Sequence, residues 1–349
     1  LKSLVVLVLC LLILPLNAWW DKPDLPITSF DYGSPQGNVS PIAIGMGGLN
    51  LTNAADFYAS YSNPALLGTN QYSLLAASFR VKGDDDMSIA EAAQFSNVLR
   101  PSQFKYVTLL AKQTAWTYQP MSAIYIMESP DSLFGYDGSF RYLDYQLDKW
   151  QVTLAGSDNS WQNLRFGLNA KYLTGRLVYL RSERPDTTFI DTKVKGFSSD
   201  LGVTLQTGDF TFGLAATDIL SRLYWDWGYD SVPLQSHLAL GAQYGTQNMT
   251  LSLGTQGKIS QTPEPTYHLG FQYLWGWESS AFSSGQNVSQ AFTLRAGLYS
   301  SDFYGIQNIN YTLGAGYNYN VFRFDFAINN KGLRLRDSEY LFSLGLGLP

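Results

Sequence analysis

From Ile309 onward the chain alternates between apolar and polar side chains almost without interruption. Ile309, Tyr311, Leu313, Ala315, Tyr317 and Tyr319 occupy one parity; Asn310, Thr312, Gly314, Gly316 and Asn318 occupy the other. After Asn320 the pattern resumes with Phe322, Phe324 and Phe326 against Arg323 and Asp325. It returns with Tyr340, Phe342, Leu344, Leu346 and Leu348 against Ser343, Gly345 and Gly347. A period of two is the mark of a β-strand, whose successive side chains leave opposite faces. A soluble sandwich would carry Lys and Glu on its outer face. Here the polar parity is mostly Gly, Ser, Thr and Asn, and the apolar parity is aromatic. That chemistry fits an apolar face turned to lipid and a small or polar face lining a closed lumen.

The rest of the chain divides into strands of similar length, at 71–80, 103–111, 115–127, 142–156, 162–180, 197–206, 209–218, 235–244, 248–257, 264–275 and 291–299. With 309–319, 321–330 and 338–348 they make fourteen, and an even number is what a bacterial single-chain barrel requires. Short connectors (112–114, 157–161, 207–208, 245–247, 320) alternate with longer ones (81–102, 128–141, 181–196, 219–234, 258–263, 300–308, 331–337), as periplasmic turns alternate with extracellular loops. The connector 276–290 breaks the rule, which implies an insertion or a misplaced strand. In the middle strands Leu164, Phe166, Leu168, Ala170 and Tyr172 oppose Arg165, Gly167, Asn169 and Lys171. Tyr267, Leu269, Phe271 and Tyr273 oppose His268, Gly270 and Gln272. Arg165, Asn169, Lys171, His268, Gln272, Arg295, Arg323 and Asp325 are therefore expected in the lumen. Trp275 and Trp277, where a strand is expected to meet a turn, suit an interfacial aromatic girdle. The expected fold is an all-β transmembrane antiparallel barrel of about fourteen strands over residues 71–349.

Composition sharpens the picture. Charged residues make up 15% of the chain and aromatics another 15%, against roughly 25% charged in ordinary soluble proteins. Yet mean hydropathy is only −0.10, which excludes a helical membrane protein. The one long apolar run, Leu4 to Leu14, is too short to span a bilayer as a helix. Lys2 before it and Pro15, Asn17 and Ala18 after it give the layout of a signal peptide, residues 1–18, cleaved after Ala18. Cys10, the single cysteine, lies in that run behind Leu9, which is too large for a lipoprotein site. The mature chain is then expected to hold no disulfide and no thiolate metal site. Loss of Lys2 makes the net charge one unit more negative than the −5 of the full chain, which argues against nucleic acid as a partner.

Residues 19–70 do not alternate. They are rich in Gly, Pro, Asn and Ser, with small clusters of apolar residues (Ile42, Ile44, Met46, Leu49) that a solvated tail would lack. They are expected to form a hatch packed inside the lumen, its backbone groups satisfied by local Asn and Ser. Gly45-Met46-Gly47-Gly48, Ala55-Asp56 and Asn63-Pro64-Ala65 resemble the N-terminal signature of the FadL-type long-chain fatty acid transporters and their PorV/PorQ-like relatives. The resemblance continues at Phe166 to Leu173, Gly196 to Val203, Phe210 to Leu220, Phe322 to Ala327 and Phe342 to Leu346, about half of the mature chain. It implies a fourteen-stranded outer-membrane barrel whose hatch carries Gly45, Gly47, Gly48, Asn63, Pro64 and Ala65. Phe57, Tyr58, Leu66 and Leu67 are the corresponding candidates to line a hydrophobic-ligand site. The compact length and the ending Leu348-Pro349 lean toward the PorV/PorQ-like side.

Other chemistry is sparse. His237 and His268, the two histidines, fall on different strands without a flanking triad pattern, so an enzyme is not expected. No His/Cys cluster suggests a metal, and no cofactor is implied. Gly45-Met46-Gly47-Gly48 lacks the strand, helix and Lys-Ser/Thr of a phosphate loop. Asp84-Asp85-Asp86 lacks the alternating ligands of a calcium loop. Residues 87–99 have the spacing of a short amphipathic helix with Ile89, Ala93, Phe95 and Val98. Two functions follow. One is a passive channel for hydrophobic small molecules of the long-chain fatty acid type. The other is a non-transporting barrel that partners secretion or surface-attachment proteins. Both place the protein in outer-membrane lipid.

Overall fold

The computed structural model describes Leu25 and residues 39–81, 104–128, 140–157, 163–183, 186–260, 265–280, 287–303, 306–330 and 338–348. The signal-peptide residues, Asp84 to Asp86 and the 87–99 segment lie outside the described residues. Two short helices, α1 (Pro41–Gly45) and α2 (Ala59–Ser62), and a 3-10 turn at Pro64–Thr69 precede the sheet.

The strands are β1 (Ser73–Val81), β2 (Phe104–Ala111), β3 (Thr114–Glu128), β4 (Phe140–Ser157), β5 (Leu164–Glu183), β6 (Asp186–Thr207), β7 (Phe210–Thr217) and β8 (Arg222–Trp225). They continue as β9 (His237–Gly245), β10 (Met249–Lys258), β11 (Thr266–Ser280), β12 (Asn287–Phe303), β13 (Ile306–Tyr319), β14 (Phe322–Asn330) and β15 (Ser338–Leu348). Neighbours pair antiparallel, and β1 pairs with β15 from Ser73↔Leu348 to Val81↔Tyr340, which closes the ring. Closure leaves no edge strand for another chain to pair with. Fourteen strands make the ring. The four-residue β8 continues the course of β7 along β6 after a break at Asp218, where the backbone takes a φ of +55°.

All fourteen expected strands form, and several bounds differ: the expected loops 181–196 and 300–308 are mostly strand, because β5 pairs with β6 as far as Glu183↔Asp186 and β12 with β13 as far as Phe303↔Ile306. The 276–290 connector is mostly strand, because β11 runs on to Ser280 and pairs with β12 as far as Asn287. Trp275 and Trp277 therefore lie within β11 rather than at its end. The expected loop 219–234 contains β8.

The described short turns, with left-handed Lys112, Gly208 and Asn320, gather at one end, here the turn end. The opposite end is here called the loop end. Apolar side chains cover the outside over the turn-end half: Leu154, Phe166, Leu168, Leu201, Phe212, Leu240, Leu253 and Leu313 are all exposed. Their neighbours of opposite parity, such as Asn169, Asp200, Thr204, Arg295, Thr312 and Asp325, are buried. This is inverted relative to a soluble protein, and only lipid makes it stable.

Candidate functional site

Residues 39–70 lie against the inward parity of the wall, and the barrel's small residues make room for them. A Cβ on Gly167 of β5 would stand 2.2 Å from the Pro64 carbonyl carbon, and one on Gly297 of β12 would stand 2.0 Å from the Gly47 amide nitrogen. Gly202, Gly213, Gly270 and Gly345 face Asn63, Leu51, Met46 and Phe57 in the same way. Gly167, Gly213, Gly270 and Gly297 thus mark backbone-to-backbone contact, whereas Gly202 and Gly345 make room for the Asn63 and Phe57 side chains.

Polar groups fix the segment locally and then to the wall. Ser40 caps α1 by accepting from the Ile42 and Ala43 amides and donates to Asp56 at 2.7 Å. Asp56 also accepts from Asn50 and from the Tyr58 amide. Burial pushes its carboxyl pKa up against those bonds. Asn63 accepts from the Ala65 amide and donates to the Leu51 carbonyl at 2.9 Å and the Val203 carbonyl at 3.3 Å. Gly47, at φ +83°, donates to Thr312 Oγ1 at 3.2 Å, and its carbonyl lies 2.6 Å from His268 Nδ1. Gly48 donates back to Ala43, and Gly45 abuts Gly314 and Arg295.

Two charged clusters tie wall and segment together. On one side Arg295 bonds Gln272 and Asp325, each at 2.9 Å, and Arg323 bonds Asp325 at 2.9 Å. Arg323 also donates to the Ala55 carbonyl at 2.8 Å and lies 4.4 Å over the Phe57 ring. On the other side Lys171 is paired with Asp200 and Asp218. Asn169 joins Asp200 at 2.7 Å to the Ser60 carbonyl at 2.8 Å. Removing one partner from a buried pair costs about 3–5 kcal/mol, so each cluster is a strong positional constraint. Arg165 sits apart near the turn end, bonded to Gln206.

The structure therefore places Gln272, Arg295, Arg323 and Asp325 in one cluster and Asn169 and Lys171 in the other, with His268 on Gly47 outside both and Arg165 beside Gly68. It adds Lys149, Asp200 and Asp218, which the sequence reading did not single out. Lys149 shares its parity with the buried Gln151 and Thr153, and that parity was the available signal. Phe57, Tyr58, Leu66 and Leu67 are buried. Phe57 packs on Gly345, and Tyr58 meets Tyr106 edge-on at 5.6 Å. The enclosed cavity beside the segment, about 60 Å3, is lined instead by Tyr61, Ser62, Lys149, Lys171, Asp218 and His237 among others.

Toward the loop end the inner lining changes character. On β4 the inward residues run Thr153, Gln151, Lys149 and then Leu147, Tyr145, Leu143, all buried. β5 follows Lys171 with Leu173 and Leu177, and β6 offers Val194 and Ile190. β8 adds Leu223 and Trp225 to the same apolar cluster, and Leu25 of the N-terminal segment packs against it. Outward residues at this level include the charged Asp144, Arg176, Lys193 and Lys195 as well as Phe189 and Tyr224. The expectation that charge marks the lumen holds only for the turn-end half. Beyond the lipid band the outer face meets water, and it carries the charge.

No protein-family model matches the chain, and no curated protein sequence does. Solved structures do. The crystal structure of the Pseudomonas putida toluene transporter TodX superposes with a TM-score of 0.52 at 11% identity, covering 89% of this chain and 96% of that one. A deltaS2S3 mutant of the TodX monoaromatic hydrocarbon channel gives 0.50 at 12% identity, covering 88% and 97%. The likeness is one of fold, and it matches the FadL-type barrel that the sequence resembles.

Proposed function

We propose that this barrel is a passive outer-membrane channel for hydrophobic small molecules, with an amphiphile of the long-chain fatty acid type as its substrate class. Residues 39–70 act as its hatch. The observation that carries the reading is the change in the inner lining at Lys149 and Lys171. A pore for hydrated solutes would stay polar throughout. An inner wall of Leu, Val, Tyr and Trp at the loop end instead takes apolar surface out of water, at about 25 cal/mol per Å2. Lys171 is neutralised by Asp200 and Asp218. Lys149 faces the Tyr61 ring, 4.4 Å from its centroid, and lines the cavity, so its ammonium is placed to receive a carboxylate that follows an apolar tail. The fold shared with the toluene transporter TodX supports a hydrophobic small molecule as the substrate.

The test is uptake by cells that depend on this protein, comparing a labelled long-chain fatty acid with an uncharged hydrocarbon. Both should enter with the native chain. Lys149→Met, which keeps the length and apolar stem of the side chain, should slow the fatty acid selectively. Uptake of neither compound, with secretion proteins co-purifying in stoichiometric amount, would overturn the channel in favour of the PorV/PorQ-like alternative.

A further inference from the structure

The outer face of β5, β6 and β8 carries a charge pattern that the lumen does not explain. From the turn end upward, the outward residues of β6 are Leu205, Val203, Leu201, Ser199 and Phe197, followed by Lys195 and Lys193. β5 repeats the order with Phe166, Leu168, Ala170 and Tyr172, then Thr174 and Arg176. Tyr172 and Phe197 are register partners, so the apolar band ends at the same point on both strands. Aromatic rings at that position mark the headgroup level of a bilayer.

The cations lie immediately at this border. Arg222 of β8 stands opposite Phe197, and Tyr224 stands opposite Lys195. The Phe197 and Tyr224 rings are 6.3 Å apart. Arg176 is opposite Lys193, but Asp191 holds its guanidinium through two bonds of 2.9 and 2.7 Å. On β4, Asp148 takes the Tyr118 hydroxyl. Lys193, Lys195 and Arg222 are all exposed; with Asp148 on β4 and the exposed Asp226 that follows β8 set against them, the stretch keeps a net charge of about one positive unit beyond the Arg176–Asp191 pair. With strands about 4.8 Å apart and a rise of about 3.3 Å per residue, the Lys193 and Lys195 Cα atoms lie roughly 7 Å apart and the Lys193 and Arg222 Cα atoms roughly 14 Å apart. Three long side chains can converge on one phosphate across those distances.

A groove of about 650 Å3, open to the outside, is lined by Val203, Leu205, Phe212, Leu214, Leu240 and Leu253 among others. It runs down the same strand that carries Phe197, Lys195 and Lys193.

We propose that Lys193, Lys195 and Arg222 bind the anionic, phosphate-bearing headgroup of a lipid in the leaflet at the loop end. One acyl chain passes Phe197 and enters the groove below. The occupant is a lipid because the cations border a surface already immersed in lipid, and the groove continues that surface. The inference rests on the barrel fold and stands whether or not the lumen conducts.

The experiment is native mass spectrometry of the full barrel in a zwitterionic detergent, titrated with diphosphorylated lipid A and with its phosphate-free counterpart. The native chain should retain the phosphorylated lipid preferentially, and the preference should weaken as salt is raised. Each basic side chain near a membrane surface contributes about a fivefold factor in affinity. Lys193→Gln with Lys195→Gln should therefore cost roughly twenty-five-fold, while Lys193→Arg with Lys195→Arg should retain binding. Retention of folded mobility on unheated gels shows that the variants are intact. Equal retention of the two lipids, equal binding by the Gln variant, or full displacement by inorganic phosphate would overturn the proposal.

Discussion

Gly167→Ala is the sharpest test of how the N-terminal segment is seated. The new methyl would lie 2.2 Å from the Pro64 carbonyl carbon, 2.3 Å from the Ala65 nitrogen and 2.6 Å from the Pro64 oxygen. Ordinary contact begins at 3.4 Å, so the segment must withdraw by about 1.2 Å (from 2.2 to 3.4). The clashing atoms are backbone, and no rotamer change relieves them. They are also anchored, since Asn63 ties this turn to Leu51 and Val203. Overpacking of this kind costs about 1–3 kcal/mol. Ala for Gly returns about 0.4–1 kcal/mol through the unfolded chain, leaving a net loss of up to about 2.6 kcal/mol. Gly156→Ala, eleven residues earlier on the adjoining strand, meets nothing within 4 Å and should be neutral or slightly stabilising. Urea titration of the barrel refolded in vesicles measures both, and planar-bilayer conductance reports whether the segment has moved. Gly167→Ala should lower the midpoint and raise the conductance. If the two variants unfold alike and conduct alike, the segment is not seated against β5 and the reasoning fails.

The remaining predictions test the lipid band, the orientation and a buried carboxyl. Leu201→Arg, about halfway between Phe197 and the turn at Gly208, should cost about 2–4 kcal/mol, whereas Phe324→Arg, close to the turn end, should cost about 0–1; equal losses in a lipid-refolding titration would refute the depth assignment. With the turn end in the periplasm, Asp186→Cys should react with an impermeant maleimide on intact cells and Thr207→Cys only after the outer membrane is opened, and the reverse labelling would invert the barrel. Asp56 has a folded pKa raised above its ordinary 3.8 by burial, so its contribution is full below that value and is lost as pH rises through the raised one. Native unfolding midpoints should therefore climb on acidification from neutral pH and Asp56→Asn should flatten that slope; an unchanged slope would show that Asp56 is not the group responsible.

The fold was legible in the sequence because a lipid-facing barrel writes its two environments onto alternate residues. Phe322, Phe324 and Phe326 against Arg323 and Asp325 need no further context. The strand ends were less legible. β11 continues past Trp277, the last member of the apolar parity, to Ser279 and Ser280, where that parity is broken although pairing persists. Hydrogen bonding outlasts the lipid that enforces the pattern, so the pattern ends before the strand does. The role of the glycines was also hidden. Gly167 and Gly297 read as small lumen residues, and only the fold shows each one opposed by the backbone of a segment more than a hundred residues away.

The candidate site was obscured by a reversal that preserves the period. On β4 the apolar residues Trp150, Val152 and Leu154 are even, and Leu143, Tyr145 and Leu147 are odd. Alternation survives across Lys149, but the face that is apolar changes. Averaged over the strand, the two halves cancel, and a reading that assigns one polarity to each face places Asp144 and Gln146 in the lumen. The physical cause is that the barrel is taller than its lipid band. Below the border the outer face must be apolar and the inner face may carry charge, provided each charge is paired, as Lys171 is with Asp200 and Asp218. Above it, water on the outside removes that demand, and burying apolar groups inside becomes the favourable choice. A change of apolar parity within one uninterrupted strand therefore marks the membrane border from sequence alone. On β4 it falls between Trp150 and Leu147, on β5 between Tyr172 and Leu173 and on β6 between Phe197 and Val194. Those residues meet in register as Trp150↔Tyr172↔Phe197. Three strands read separately thus place the border at one level, the level at which the inner lining turns apolar and the outer cations begin.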